Sequence, residues 1–114
     1  MQIQINTDRN IKGHETFISK ISEQVESALS RFSEHITRLE VHLSDANGVK
    51  FGENDKQCMI EARLENRKPI AVTHQADTLD KAIDGALVKL VKMLESTLDR
   101  LHDLERKRTD PVRI

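Results

Sequence analysis

One cysteine, two prolines, four glycines, three phenylalanines and neither tyrosine nor tryptophan stand among 114 residues, and each scarcity closes off a class of protein. With Cys58 alone there is no intrachain disulfide framework, which suits a reducing compartment. With so few aromatic rings the core must be aliphatic, and a sheet that reads single strands by stacking bases is disfavoured. No apolar run approaches the ~20 residues needed to span a bilayer. Met1 to Asn6 alternates in polarity rather than forming the apolar heart of a signal segment. The expectation is a cytoplasmic protein without membrane contact. An excess of one charge is missing too. Eighteen Lys and Arg face nineteen Asp and Glu, for a formal net charge of −1 and a pI of about 6.5. No global field draws the chain toward phosphate, so any polyanion binding must come from local segregation of charge.

What is present is periodicity. At 37% hydrophobic and 32% charged residues, the chain fits one domain with one core. Met1, Ile3 and Ile5 alternate with polar neighbours, as in a strand with one buried face. Thr7 to Gly13 is turn-like. From His14 the period lengthens, and Phe17, Ile18, Ile21, Val25, Ala28, Leu29 and Phe32 make the stripe of a helix of about 20 residues. Alternation returns from Ile36, with Leu39, Val41 and Leu43 on one side and Arg38, Glu40 and His42 on the other. Ser44 to Asp55 holds Asn47-Gly48 and reads as a long hairpin loop. Cys58, Ile60, Ala62 and Leu64 then alternate with polar residues. Asn66 to Pro69 is a short turn, and Ile70 and Val72 lie in a last strand ending near His74. Asp77 or Thr78 is suited to cap a final helix.

That final helix carries Leu79, Ile83, Ala86, Leu87, Leu90, Leu94, Leu98, Leu101 and Leu104 at three- and four-residue steps. Roughly 30 residues long, it spans ~45 Å, against ~26 Å for a strand of about 8 residues. Its far half must pack on something besides a small sheet or face a partner. The fold expected is α+β, a two-layer sandwich ordered β-α-β-β-β-α, with both helices on one face of a four-stranded sheet. Residues 1–104 form the domain, and 105–114 a charged, fraying tail stopped by Pro111.

Catalytic readings find little support. Cys58 lies on the apolar side of its strand, as a small buried hydrophobe would. His14, His35, His42, His74 and His102 are scattered through different elements without paired zinc-ligand spacing. The glycines at 13, 48, 52 and 85 form no phosphate-cradling loop. The sequence therefore points to no enzyme, no cofactor and no metal. The last helix says more. At ~100° per residue with Lys81 at zero, Lys92 falls near 20° and Lys89, Arg100 and Lys107 near 80° to 100°. Asp80, Asp84, Glu95 and Glu105 fall on the opposite flank. One edge of the apolar stripe is basic and the other acidic. On the first helix, Lys20 and Arg31 are eleven residues apart and share a face. A one-sided rim of this kind is what a phosphate backbone requires. Solubilising charges paired at helical spacing are the plainer alternative.

Beyond these patterns, Met1-Gln2-Ile3-Gln4-Ile5, the stretch Ile36 to Leu43, the run Ala76-Asp77-Thr78-Leu79-Asp80-Lys81-Ala82-Ile83-Asp84-Gly85 and Lys89-Leu90 resemble the ribosome hibernation-promoting factor and ribosome-associated inhibitor family, also called sigma-54 modulation proteins. The resemblance covers residues 1 to 104. It implies a fold similar to a double-stranded-RNA-binding domain. It also implies a non-enzymatic factor that sits on the small ribosomal subunit and its ribosomal RNA, at the decoding region, and inhibits translation under stress. Lys89, Lys92 and Arg100 match basic positions of the family's last helix, and Asp84 matches the Asp of its motif. Ser96, Leu98 and His102 depart from positions where the family often places Lys or His. The chain looks like a short form without the dimerisation domain of long members. The RNA-binding set expected is Lys89, Lys92, Arg100, Lys107, Lys81, Lys20 and Arg31. Two other readings stand beside this one: a module that forms a homodimer through Leu98, Leu101 and Leu104, and a fold relative with another RNA or protein target.

Overall fold

The computed structural model of the chain describes residues 1–7, 15–45 and 56–109, with the side chains of residues 16 and 99–109 outside that description. Strands β1 (Gln2–Thr7), β2 (Ile36–Asp45), β3 (Lys56–Leu64) and β4 (Ile70–Ala76) and helices α1 (Glu15–Leu29) and α2 (Leu79–Thr109) follow in the expected order. The four strands form one sheet in chain order. β1 runs parallel to β2, which the intervening α1 makes possible, and the remaining pairs are antiparallel.

Register puts the alternating apolar residues on one side. Ile3 stands beside Leu39 and Ile5 beside Val41. Leu43 faces Cys58, Val41 faces Ile60, and Ile60 in turn faces Val72. These rows lie beneath the helices, fully buried except for the half-buried Ile3 and Ile5, and Ile21, Val25 and Leu29 of α1 and Ala82, Ile83, Ala86, Leu90 and Leu94 of α2 complete an aliphatic core. The β2–β3 register shifts between Ile36 and Arg38. There the Thr37 hydroxyl donates to the Arg63 carbonyl at 3.1 Å, supplying a partner where the ladder slips. The β3–β4 turn bends at Asn66, whose φ of 59° lies in the left-handed region that Asn tolerates better than most residues.

Some boundaries differ from the expectation. The first helical stripe is continuous to Phe32, yet α1 ends at Leu29 and Ser30–Phe32 is a 3-10 turn that still buries Phe32. A three-residue step suits either helix type, so apolar spacing does not separate them. β4 extends to Ala76 because Lys56, the first residue of β3, pairs with it. Ser44 and Asp45, expected in the hairpin loop, belong to β2, and the rest of that stretch, residues 46–55, lies outside the described residues.

Thr78, rather than Asp77, caps α2: its Oγ1 accepts the backbone N–H of Lys81 at 3.2 Å. Asp77 instead accepts the Lys81 ammonium at 3.3 Å. Thr78→Ala should lower stability by about 1 kcal/mol in urea titration, whereas Asp77→Ala should cost much less, since it removes only an exposed pair.

Covering the long helix is partly the work of α1. Gln24 of α1 donates to Asp84 of α2 at 2.6 Å, and Arg31, just past α1, pairs with Glu95. The partners advance together along both chains, so the helices lie parallel. Leu98 is half-buried and packs against the core, so the sandwich itself covers part of its apolar surface. Leu101 and Leu104 belong to α2, but their side chains lie outside the described residues. The helix continues through Thr109, into the stretch expected to be tail.

Candidate nucleic-acid interface

The flanks of α2 meet different neighbours. Asp84 and Glu95, on the acidic flank, are turned toward α1 and the 3-10 turn after it, where Gln24 and Arg31 hold them. Lys89, on the other flank, reaches over the sheet edge, and its Nζ donates to the Thr73 carbonyl at 2.8 Å. β4 is the outermost strand, so this contact also occupies a backbone acceptor that a stray strand could otherwise use. A carbonyl orients an ammonium without cancelling its charge. Lys89 thus remains an exposed net positive group. Lys92, one helical step further, is exposed and has no ionic partner among the described residues. Lys20 on α1 is exposed and likewise unpaired among them.

Two of the expected site residues are less available. Arg31 pairs with Glu95 and lies 4.6 Å from the centroid of the Phe32 ring. It sits in the 3-10 turn rather than on α1, so the helical spacing that was to align it with Lys20 does not apply. Lys81 pairs with Asp77. Both pairs are exposed and weak in water, so a polyanion could displace the carboxylates, but each cation starts with its charge answered. Arg100 and Lys107 are on α2 with side chains outside the described residues.

The open face of the sheet offers no comparable field. Arg38 bonds Gln4 and lies 3.4 Å from Glu40, and Arg63 lies 3.3 Å from Glu61 and 3.9 Å from Glu40. Two arginines and two glutamates form a neutral lattice. Among the described residues, cations without a carboxylate partner therefore stand on the helical side, at the β4 edge and in the β3–β4 turn, where Arg67 and Lys68 are exposed.

Cys58 is fully buried, and burial pushes its thiol from the ordinary 9.0 up to about 12. It is a core thiol, with no thiolate available near neutrality. No cluster of three or more His, Cys, Asp or Glu suited to a metal occurs among the described residues. Among them, too, no helix is long and apolar enough to cross a membrane.

Residues 4–102 match the family model described as Sigma 54 modulation protein / S30EA ribosomal protein. The chain belongs to that family. The S30EA fold is found again in solved structures. The Thermus thermophilus Protein Y N-terminal domain superposes with a TM-score of 0.68 at 18% identity, covering 85% of this chain and 99% of that one. A ribosomal subunit interface protein from Coxiella burnetii gives a TM-score of 0.65 at 17% identity, covering 87% of this chain and 99% of that one. No curated protein sequence matches this chain.

Sequence reasoning missed the partners of the S30EA domain's acidic flank and the docking of Lys89 on Thr73. Asp84 and Glu95, eleven residues apart, did signal that one flank was acidic. Which neighbour would face it depends on how α1 lies, and helical spacing within α2 carries no such information.

Proposed function

We propose that this chain is a non-enzymatic, cytoplasmic factor that binds the small ribosomal subunit at the decoding region and inhibits translation under stress. The observation that carries the reading is the set of exposed lysines on the two helices that no carboxylate among the described residues neutralises. Lys20, Lys89 and Lys92 keep their charge on the helical side, while the opposite sheet face is internally neutral. Membership in a family described by a ribosomal protein, and likeness to a structure named as a ribosomal subunit interface protein, support the choice of polyanion.

Recognition of this kind runs through phosphates and the shape of A-form RNA, with little reading of bases. Five cations, Lys20, Lys89, Lys92, Arg100 and Lys107, would give log K a slope of about −4 to −5 against log salt. Pelleting the protein with small subunits, large subunits and bare ribosomal RNA over a salt series measures that slope. Reversing Lys89, Lys92 and Arg100 together to Glu should abolish co-sedimentation with small subunits, while reversing Arg38 and Arg63 should leave most of it. A flat salt response, or equal pelleting with every RNA, would remove the small subunit as the specific target.

A further inference from the structure

Val88 sits on α2's outward face, in its first third, with 55% of its surface exposed. Beside it lies a hollow of about 380 Å³ between the helices, lined by Ala28, Leu87, Val88, Val91, Lys92 and Glu95. The charges around Val88 are placed symmetrically about it in the sequence. Four residues before it stands Asp84 and four after it Lys92; seven before stands Lys81 and seven after Glu95. All four are exposed, and at ~100° per residue all fall within about 40° of Val88 around the helix.

We propose that this face of α2 is a two-fold interface with a second copy of the chain, the helices crossing antiparallel with the axis at Val88. A two-fold axis makes contacts reciprocal, so residues equally spaced on either side of the axis meet. Val88 then packs on the partner's Val88. Asp84 meets the partner's Lys92, and Lys92 the partner's Asp84. Lys81 and Glu95 pair in the same reciprocal way. A shift of one residue in the axis would break both charge pairs at once, so the pattern selects a register as well as a partner. Within each copy, Gln24 and Arg31 already hold one oxygen each of Asp84 and Glu95. Asp77 likewise holds Lys81, and these exposed contacts are weak enough in water to exchange for the partner's groups.

This surface is separate from Leu98, Leu101 and Leu104, and it does not depend on the ribosome reading. If both hold, the dimer covers Lys81 and Lys92 but leaves Lys89 at the sheet edge. Sedimentation equilibrium of the purified, nucleic-acid-free chain over a concentration and salt series tests it. The expected result is a monomer–dimer equilibrium that weakens with salt. Lys92→Asp alone and Asp84→Lys alone should each weaken it roughly tenfold, since symmetry doubles every lost contact, and the double swap should restore it. Val88→Asp, which sets two like charges on the axis, should leave only monomer, with the circular-dichroism spectrum unchanged. A wild-type monomer mass at all concentrations, a dimer indifferent to these reversals, or a double swap that fails to rescue would each overturn the interface. Ribosome pelleting by Val88→Asp separates the two proposals, because the ribosome reading expects it to persist.

Discussion

Replacing Gly85 with alanine should destabilise the protein by about 1–3 kcal/mol, as overpacking does, even though alanine is the better helix former by about 1 kcal/mol. Gly85 lies within α2 where the helix crosses β4, and the His74 side chain rests against it. A Cβ added at Gly85 would fall 2.1 Å from His74 Cδ2 and 2.4 Å from His74 Cγ. The second distance matters more than the first. A ring tip can swing aside, but Cγ is tied closely to the strand backbone, so relief requires either a new rotamer for the whole ring or a wider gap between helix and sheet. Widening that gap would also strain the reach of Lys89, one turn on, to the Thr73 carbonyl. Chemical denaturation of Gly85→Ala measures the loss. The control is the same substitution in a His74→Ala background, where the obstruction is gone and the helix preference for alanine should make the change neutral or favourable. A Gly85→Ala protein more stable than wild type would show that the imidazole yields at negligible cost.

Much of this arrangement was legible in the chain, and the parts that were not share a cause. The alternation of Leu39, Val41 and Leu43, and of Cys58, Ile60, Ala62 and Leu64, reports which strand face is buried, because side chains on a strand change sides at every residue. The three- and four-residue steps from Leu79 to Leu94 report the buried stripe of α2 in the same way. Each signal belongs to a single element. Where two elements set the outcome, the sequence was silent or misleading. β4 runs past His74 to Ala76 because β3 is long enough to pair there. Arg31 reads as a cation aligned with Lys20, yet it turns to Glu95, a residue 64 positions away. Nothing in the sequence signals that the His74 ring lies against Gly85. The basic flank at Lys89 and Lys92 was visible from helical angles alone, whereas the fate of the acidic flank was not, because helix packing decides it.

Raising the pH from 9.0 to about 12 should cost the fold roughly 4 kcal/mol through Cys58 alone, at about 1.4 kcal/mol per unit of pKa difference. The sign follows from the thiol's surroundings. In the unfolded chain it ionises near 9.0, and in the folded protein burial holds it neutral to about 12. Between those values the unfolded state gives up a proton that the folded state keeps, so alkali drains stability across that window and leaves it untouched below. Lysines titrate in the same range, so the measurement is a comparison: urea midpoints of wild type and Cys58→Ala at a series of pH values. The alanine protein gives up some packing at neutral pH but should lose less stability per pH unit above 9.0, and the two curves should converge. Parallel curves would mean that the thiol ionises in place, with water or a cation reaching it. Nothing described around it provides either: Cys58 stands opposite Leu43 on one side and His74 on the other, and the contact of His74 with Gly85 keeps α2 seated over that part of the sheet. Loosening the seat with Gly85→Ala should therefore also lower the pH at which the thiol begins to react with a disulfide reagent, which ties the alkaline limit of the fold to the same close approach of helix and strand.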